Sequence, residues 1–211
     1  MNNNMTMIDQ IASAVKKINP VFGDIFEHAL DYVPYIGKVL MHVKLNRFER
    51  RLNENAEQIQ RIGKLASNTL LSSEYISERI FPIVLSDLIE EHEDAKINLI
   101  LNGYENVFIN EKDDESLVIH YFDTLRNLRY VDLRRFFYLV KLVDENSAEL
   151  NNEMLGMTRS IDKKLMNLNL IKEGGLRVGE FQGMEYDNTY KTVDLTLFGR
   201  YFLDWITINL R

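Results

Sequence analysis

Cysteine is absent from this sequence. That excludes disulfides, thiolate nucleophiles and cysteine-ligated zinc. Histidine is scarce, with four in the chain, so a metal centre would have to lean on carboxylates. Three prolines and ten glycines in 211 residues are too few for an all-β fold dense in turns or for long linkers. No window approaches the roughly 20 consecutive apolar residues of a membrane-spanning helix. The opening stretch, Met1 to Thr6, carries neither the basic start nor the apolar run of a signal peptide. A cytoplasmic protein is expected. Positive charge is short as well. The formal net charge of −7 divides into +2 over residues 1–72, −8 over 73–146 and −1 over 147–211. An acidic middle disfavours non-specific adhesion to nucleic acid, which needs a concentrated positive field, so any such role must be local.

What is present is globular material, 45% hydrophobic and 27% charged, enough for one large domain or two small ones. Helical periodicity dominates. Met7, Ile8, Ile11, Val15 and Ile18 predict a short helix ending before Pro20. A second helix starts at Pro20, presents Phe22, Ile25, Phe26, Leu30 and Val33, and ends at Pro34. From Tyr35, apolar residues recur at steps of three or four through Leu40, Phe48, Leu52, Ile59 and Ile62, predicting one long helix packed lengthwise on a partner. Its opposite face carries Lys44, Arg47, Arg50 and Arg51, with Arg61 further on. The simple reading is a solvated surface; the sharper one is a site for an acidic partner or phospholipid headgroups. A second long helical tract runs from Ser72-Ser73-Glu74 to Phe108, with a break near Phe81 imposed by Pro82. Packed on the first, it gives an antiparallel hairpin. The charged connection Glu111–Glu115 sets the domain boundary: a helical bundle over 1–112 and a second domain over 113–211.

In that second domain, Leu117–Leu128 and Tyr130–Val143 read as helices, and Thr158 caps another that runs to about Asn169 with Ile161, Leu165 and Leu168 inward. Gly174-Gly175 ends it. Leu176–Phe181 and Tyr190–Leu195 are the candidate strands, with a turn near Asp187-Asn188. Thr196 caps a closing helix whose Phe198, Phe202, Leu203, Trp205 and Ile206 must dock on the rest. The expected fold class is mainly α: an N-terminal helical bundle or long helical hairpin, with a C-terminal winged-helix-like unit carrying a small two-stranded β-ribbon.

No catalytic constellation stands out, and no cofactor or metal is expected. Glu90-Glu91-His92-Glu93-Asp94 crowds carboxylates around a histidine, but a di-metal bundle needs Glu-x-x-His twice. Position 89 is Ile89 and no second copy exists, so this reads as an acidic helix surface. His28, His42 and His120 lie in apolar-faced helices and read as half-buried structural histidines. Serine, histidine and aspartate occur without a nucleophile elbow, and no glycine-rich phosphate loop exists. The residues pointing outward after Thr158 are Arg159, Ser160, Lys163, Lys164 and Asn167, suited to phosphates and base edges or to a protein partner. Asp162 among them, and Glu180, Glu185 and Asp187 in the ribbon, make this surface less basic than a dedicated DNA reader. A protein partner or self-association, as a homodimer through the long helices, ranks first, and DNA second. The apolar stretch Pro20–Leu45 reads as core-packing helices, with a membrane-surface hairpin as its alternative.

The order of several phrases resembles a bacterial family known as Abi-alpha-like, associated with abortive infection. They are Phe22-Gly23-Asp24, Glu91-His92-Glu93-Asp94-Ala95-Lys96-Ile97 and Leu101-Asn102-Gly103. Leu125-Arg126-Asn127-Leu128-Arg129-Tyr130-Val131-Asp132, Leu168-Asn169-Leu170-Ile171 and Leu195 to Phe202 follow. The last two are common to many winged-helix proteins. The resemblance spans residues 20–206 and implies a helical protein, cytoplasmic or membrane-associated, tied to phage defence. It carries over no catalytic residue.

Overall fold

A computed structural model of the chain describes residues 7–29, 38–143, 152–174 and 193–208. The fold is mainly helical with a small two-stranded antiparallel ribbon, as the periodicity predicts. The chain forms two compact units, one running to Asn127 and taking in Trp205 onward, the other spanning Leu128–Asp204. The division does not fall in the Glu111–Glu115 connection. The helix Glu115–Asn127 (α7) stays with the first unit because it buries Val118, Tyr121, Phe122 and Leu125 there.

In the first unit, α1 (Met7–Ile18) packs on α2 (Pro20–Ala29), and α2 also meets the later helices of this unit. The one long helix expected from Tyr35 is two: α3 (Lys38–Glu54) and α4 (Ala56–Ala66). Asn55 makes the break, its side-chain amide donating to the Arg51 carbonyl at 2.7 Å in competition with the backbone ladder. The apolar seam is nonetheless continuous, with Phe48, Leu52, Ile59 and Ile62 all buried. The second tract also divides. A π-helical segment, Tyr75–Ile80, leads into α5 (Phe81–Glu90), with Pro82 in the first turn of α5. Proline cannot donate to the ladder, and the register change before it absorbs the loss. After α5 the chain turns over at Glu91–Glu93, passes a short 3₁₀ turn (Asp94–Lys96), and returns as α6 (Ile97–Ile109). The acidic stretch is therefore a turn between helices, not a helix surface. This also replaces the antiparallel hairpin. Glu90 lies by Lys44 and Leu88 by Arg51, so α5 runs against α3. Gln58 and Arg61 reach Asn102 and Glu105, so α6 runs with α4.

The core of this unit closes on Trp205, which is 1% exposed. Tyr121 stacks on it at 5.2 Å and Phe122 meets it edge-on at 4.7 Å. On α6, Asn102 donates to the Ile206 carbonyl at 2.9 Å and Asn106 to the Trp205 carbonyl at 2.8 Å, satisfying carbonyls that a helix end leaves open. Between them, Gly103 has no room for a side chain: an added Cβ would lie 2.5 Å from the indole ring. The phrase Leu101-Asn102-Gly103 thus forms the seat for Trp205.

The second unit contains α8 (Tyr130–Leu139), α9 (Asn152–Asn167), β1 (Ile171–Glu173), β2 (Val193–Leu195) and α10 (Leu197–Ile206), whose last residues, Trp205 and Ile206, belong to the first unit. Thr158 does not cap α9. The helix begins earlier, at Asn152, and Thr158 lies within it. Nor do Gly174-Gly175 end it. Asn169 does, at φ 55, with the Leu170 N–H reaching the Leu165 carbonyl at 3.0 Å and its own N–H reaching Met166 at 2.8 Å. This is the hydrogen-bond pattern of a left-handed helix stop, with asparagine in place of glycine. A strand, Ile171–Glu173, follows directly on this stop, where none was expected; the expected strand Leu176–Phe181 lies outside the described residues. Val193–Leu195 is paired as expected, with Ile171 opposite Leu195, Lys172 opposite Asp194 and Glu173 opposite Val193. Tyr190–Lys191–Thr192 and the turn at Asp187-Asn188 also lie outside the described residues.

The two winged-helix phrases lock into each other. The Thr196 hydroxyl donates to the Asn169 carbonyl and accepts from the Gly199 N–H at 2.8 Å, capping α10 as expected. A Cβ on Gly199 would sit 1.9 Å from the Leu170 carbonyl oxygen, so only glycine lets α10 approach.

Candidate functional site

Two groups of residues stand out in the sequence, and the structure treats them differently. The basic residues of α3 turn inward on the α5–α6 turn. Arg51 is 1% exposed, and its guanidinium donates to the Leu88 carbonyl and the Glu91 carbonyl, both at 2.6 Å, and to Asp94 at 2.7 and 2.9 Å. The planar fork matches this job, since one group satisfies two open carbonyls at the end of α5 and one carboxylate beyond it. Arg50 binds Asp94 at 2.6 Å, and Lys44 binds Glu90 at 2.5 Å. Arg47 is half-buried. Lys44, Arg50 and Arg51 are therefore occupied within the fold. Of the predicted basic face only Arg51 is an internal clamp; Arg50 stays 48% exposed with its partners, and Arg47 is half-exposed. A local pattern shows only the Arg50–Glu54 pair one turn along α3; Asp94 lies 43 residues from Arg51 and Glu90 lies 46 from Lys44.

The acidic residues of the turn respond to that clamp. Burial pushes the Glu91 carboxyl up, but Lys96 at 2.5 Å and the N–H groups of Glu93 and His92 hold it below its ordinary value. Arg50, and then Arg51, lower Asp94. On α5, burial raises Asp87 although Arg126 donates to it at 2.8 Å. Each charged group has a structural partner, which is the arrangement of a turn held shut. Among the described residues no group of histidine and carboxylates is placed to hold a metal ion. His92 and His120 are exposed, so His120 is not the half-buried histidine expected; the side chains of His28 and His42 lie outside the description.

The second group is on α9. Ile161 and Leu165 are buried, which fixes the rotation of the helix. Arg159, Ser160, Lys163 and Asn167 are exposed together, as predicted. Lys164 is the exception: its ammonium binds Asp132 on α8 at 2.5 Å. Asp132 also accepts the Arg129 N–H at 2.8 Å in the first turn of α8, so Lys164 helps anchor α9 to α8. Asp162 is withdrawn too, held by both nitrogens of the Arg135 fork at 2.8 and 2.9 Å. The exposed face keeps two cations, Arg159 and Lys163, one helical turn apart, with Ser160 and Asn167 beside Lys163.

No family model, curated protein or solved structure matches the chain.

Proposed function

We propose that this protein is a non-enzymatic interaction protein that engages its partner through the exposed face of α9, in the setting of bacterial phage defence that the resemblance to the Abi-alpha-like family implies. The observation that carries this reading is the composition of that face: two cations and two hydrogen-bonding side chains, all exposed, on a helix anchored through Asp132 and Arg135. A preorganised helix loses little freedom on binding. The seam expected to form a homodimer offers a partner less, because Phe48, Leu52, Ile59 and Ile62 are already buried within the protein. The membrane-surface reading has less support, since α2 packs against α1, α4, α5 and the π-helical segment. The test is phage challenge of cells that make the wild-type chain or the Arg159→Glu/Lys163→Glu variant at equal levels. Protection that the variant lacks is expected; a wild type that never lowers the plaque count removes the defence setting.

A winged-helix DNA-binding regulator is the second reading, favoured by the withdrawal of Asp162 from the α9 face. Magnitude ranks it lower. Two exposed cations neutralise about two phosphates, giving a salt slope of roughly −2, far from that of a regulator with 6–10 phosphate contacts. Gel retardation of duplex DNA at low salt decides it: no shifted band eliminates DNA binding, and a shift abolished by Lys163→Ala establishes it.

A further inference from the structure

In the first unit, the connection from α4 to the π-helical segment displays Leu70 at 92% exposure, the most open large apolar side chain among the described residues. Ile109, Met157, Leu197 and Tyr201 are also exposed, but they lie in helices. Leu142 lies in the turn that closes α8, where its N–H donates to the Phe137 carbonyl at 2.9 Å. Leu70 differs from all of these. Residues 67–72 lie outside the helices, and the Leu70 N–H donates to a side chain, the Glu111 carboxylate, at 3.2 Å. That carboxylate also accepts from the Thr69 hydroxyl at 2.9 Å, and the Leu71 N–H donates to the same hydroxyl at 3.2 Å. Glu111 itself sits at φ 45, a conformation that favours glycine. Its side chain is thus retained at a backbone cost, and what it holds is the backbone around Leu70.

A single leucine among the exposed polar residues Ser67, Asn68, Ser72 and Ser73 is too small a patch for a stable protein interface, which needs about 1,000 Å². It is the right size for a pocket that takes one side chain. An endopeptidase has such a pocket, and it pairs with the neighbouring backbone as an added strand, so it needs a non-helical stretch with an N–H to spare. Exposed tips with small polar residues are where chains are nicked. We propose that residues 67–72 are a site of limited proteolysis, where an endopeptidase with an apolar pocket takes Leu70, and that Glu111 guards it. Water adds across the Leu70–Leu71 peptide bond: the Leu70 carbonyl carbon becomes a carboxylate, the C–N bond breaks, and the Leu71 nitrogen leaves as an ammonium. The cut does not undo the fold of the first unit. Fragments 1–70 and 71–211 stay joined by Arg51 donating to Leu88, Glu91 and Asp94, by Gln58 donating to Asn102 and Glu105, and by the buried seam. Cleavage follows the population in which Glu111 has released the Leu70 N–H, a local opening and not global unfolding.

The experiment is chymotrypsin treatment of the folded full chain, with fragment masses followed over time and thermal midpoints taken by circular dichroism. Wild type is expected to yield a fragment beginning at Leu71 that co-elutes with its counterpart on gel filtration and parts from it only in denaturant. Leu70→Asp is expected to lose this cut with an unchanged melt. The decisive arm is Glu111→Gly, which removes the carboxylate and relieves the left-handed backbone together. It is expected to be cut about tenfold faster with a midpoint no lower than wild type, a pairing that global unfolding cannot produce. The absence of any fragment beginning at Leu71, a cut that survives Leu70→Asp, or fragments that separate without denaturant overturns the proposal. A Glu111→Gly rate equal to wild type, or faster only in step with a fallen midpoint, overturns the guard.

Discussion

In the first unit the groups that join one element to another lie far apart in the sequence. Arg51 and Asp94 are 43 residues apart, and Asn106 reaches 99 residues to Trp205. In the second unit, Arg135 and Asp162 are 27 apart, as are Thr196 and Asn169. The first unit is fastened by buried charge, with Arg51, Lys96, Glu105, Asp87 and their partners at the helix junctions. The second depends on close backbone approach, where the stop at Asn169 and the absent side chain of Gly199 let α9, the ribbon and α10 meet. A buried guanidinium serving two carbonyls tolerates no truncation, whereas a glycine contact tolerates no addition. The two units should therefore fail in opposite ways.

The largest effect is expected from Arg51→Met. It leaves the Leu88 and Glu91 carbonyls without their donor and Asp94 with Arg50 alone, a loss of about 3–5 kcal/mol at one to three per unsatisfied carbonyl. Trp205 is the sole tryptophan and lies in the first unit, so its emission during urea unfolding reads this directly. An unmoved midpoint would contradict the clamp. Arg51→Lys should fall between, because an ammonium cannot fork. Gly199→Ala comes next, at about 3 kcal/mol, since a methyl group so near a carbonyl oxygen forces backbone movement. Hydrogen exchange should quicken at Ile171, Val193–Leu195 and the first turn of α10; protection equal to wild type there would refute it.

Acid separates the units less sharply. Glu91 and Asp94 are lowered in the folded state, so their contribution is complete above their ordinary values of 4.5 and 3.8 and is lost as pH falls through the lowered ones. Asp87 is raised, so its effect has the opposite sign: folding gains as it protonates and loses as pH rises through its raised value. Toward acid the loss at Glu91 therefore opposes the gain at Asp87, while Asp94 counts little, being well exposed. Glu91→Gln should flatten the acid limb of stability against pH in the first unit; a limb as steep as before would point to other carboxylates. The smallest effect sharpens the comparison most. Lys141 in the second unit ends α8 at φ 60, and Lys141→Gly should stabilise by about 1 kcal/mol. Glu111→Gly relieves the same strain in the first unit but forfeits the bonds to Thr69 and Leu70, so its melting temperature should rise less than that of Lys141→Gly.

Those left-handed residues also show why element ends were harder to read than elements. Glu111, Lys141 and Asn169 all end helices in the conformation where glycine is usual, and none is glycine. The helix signal runs to about Asn169 and the stop falls there, but a reading that waits for Gly174-Gly175 before opening the ribbon misses the strand at Ile171–Glu173. Asn55 and Glu91 break long apolar cadences without interrupting them, because both halves still face the same core. On α9, the rotation followed from Ile161 and Leu165, and with it the exposure of Arg159, Ser160, Lys163 and Asn167. Lys164 could not be sorted from its neighbours, since Asp132, the group that claims it, is 32 residues upstream.

Periodicity and capping chemistry, which act between residues a few positions apart, were sufficient to determine the helical class, the paired Val193–Leu195 strand, the Thr196 cap and the burial of Trp205. The partners of the α3 cations, the reversal between α5 and α6, and the display of Leu70 were decided only when distant segments met. Each depends on a charge or carbonyl finding its counterpart across tens of residues, and the local order of side chains holds no record of that distance.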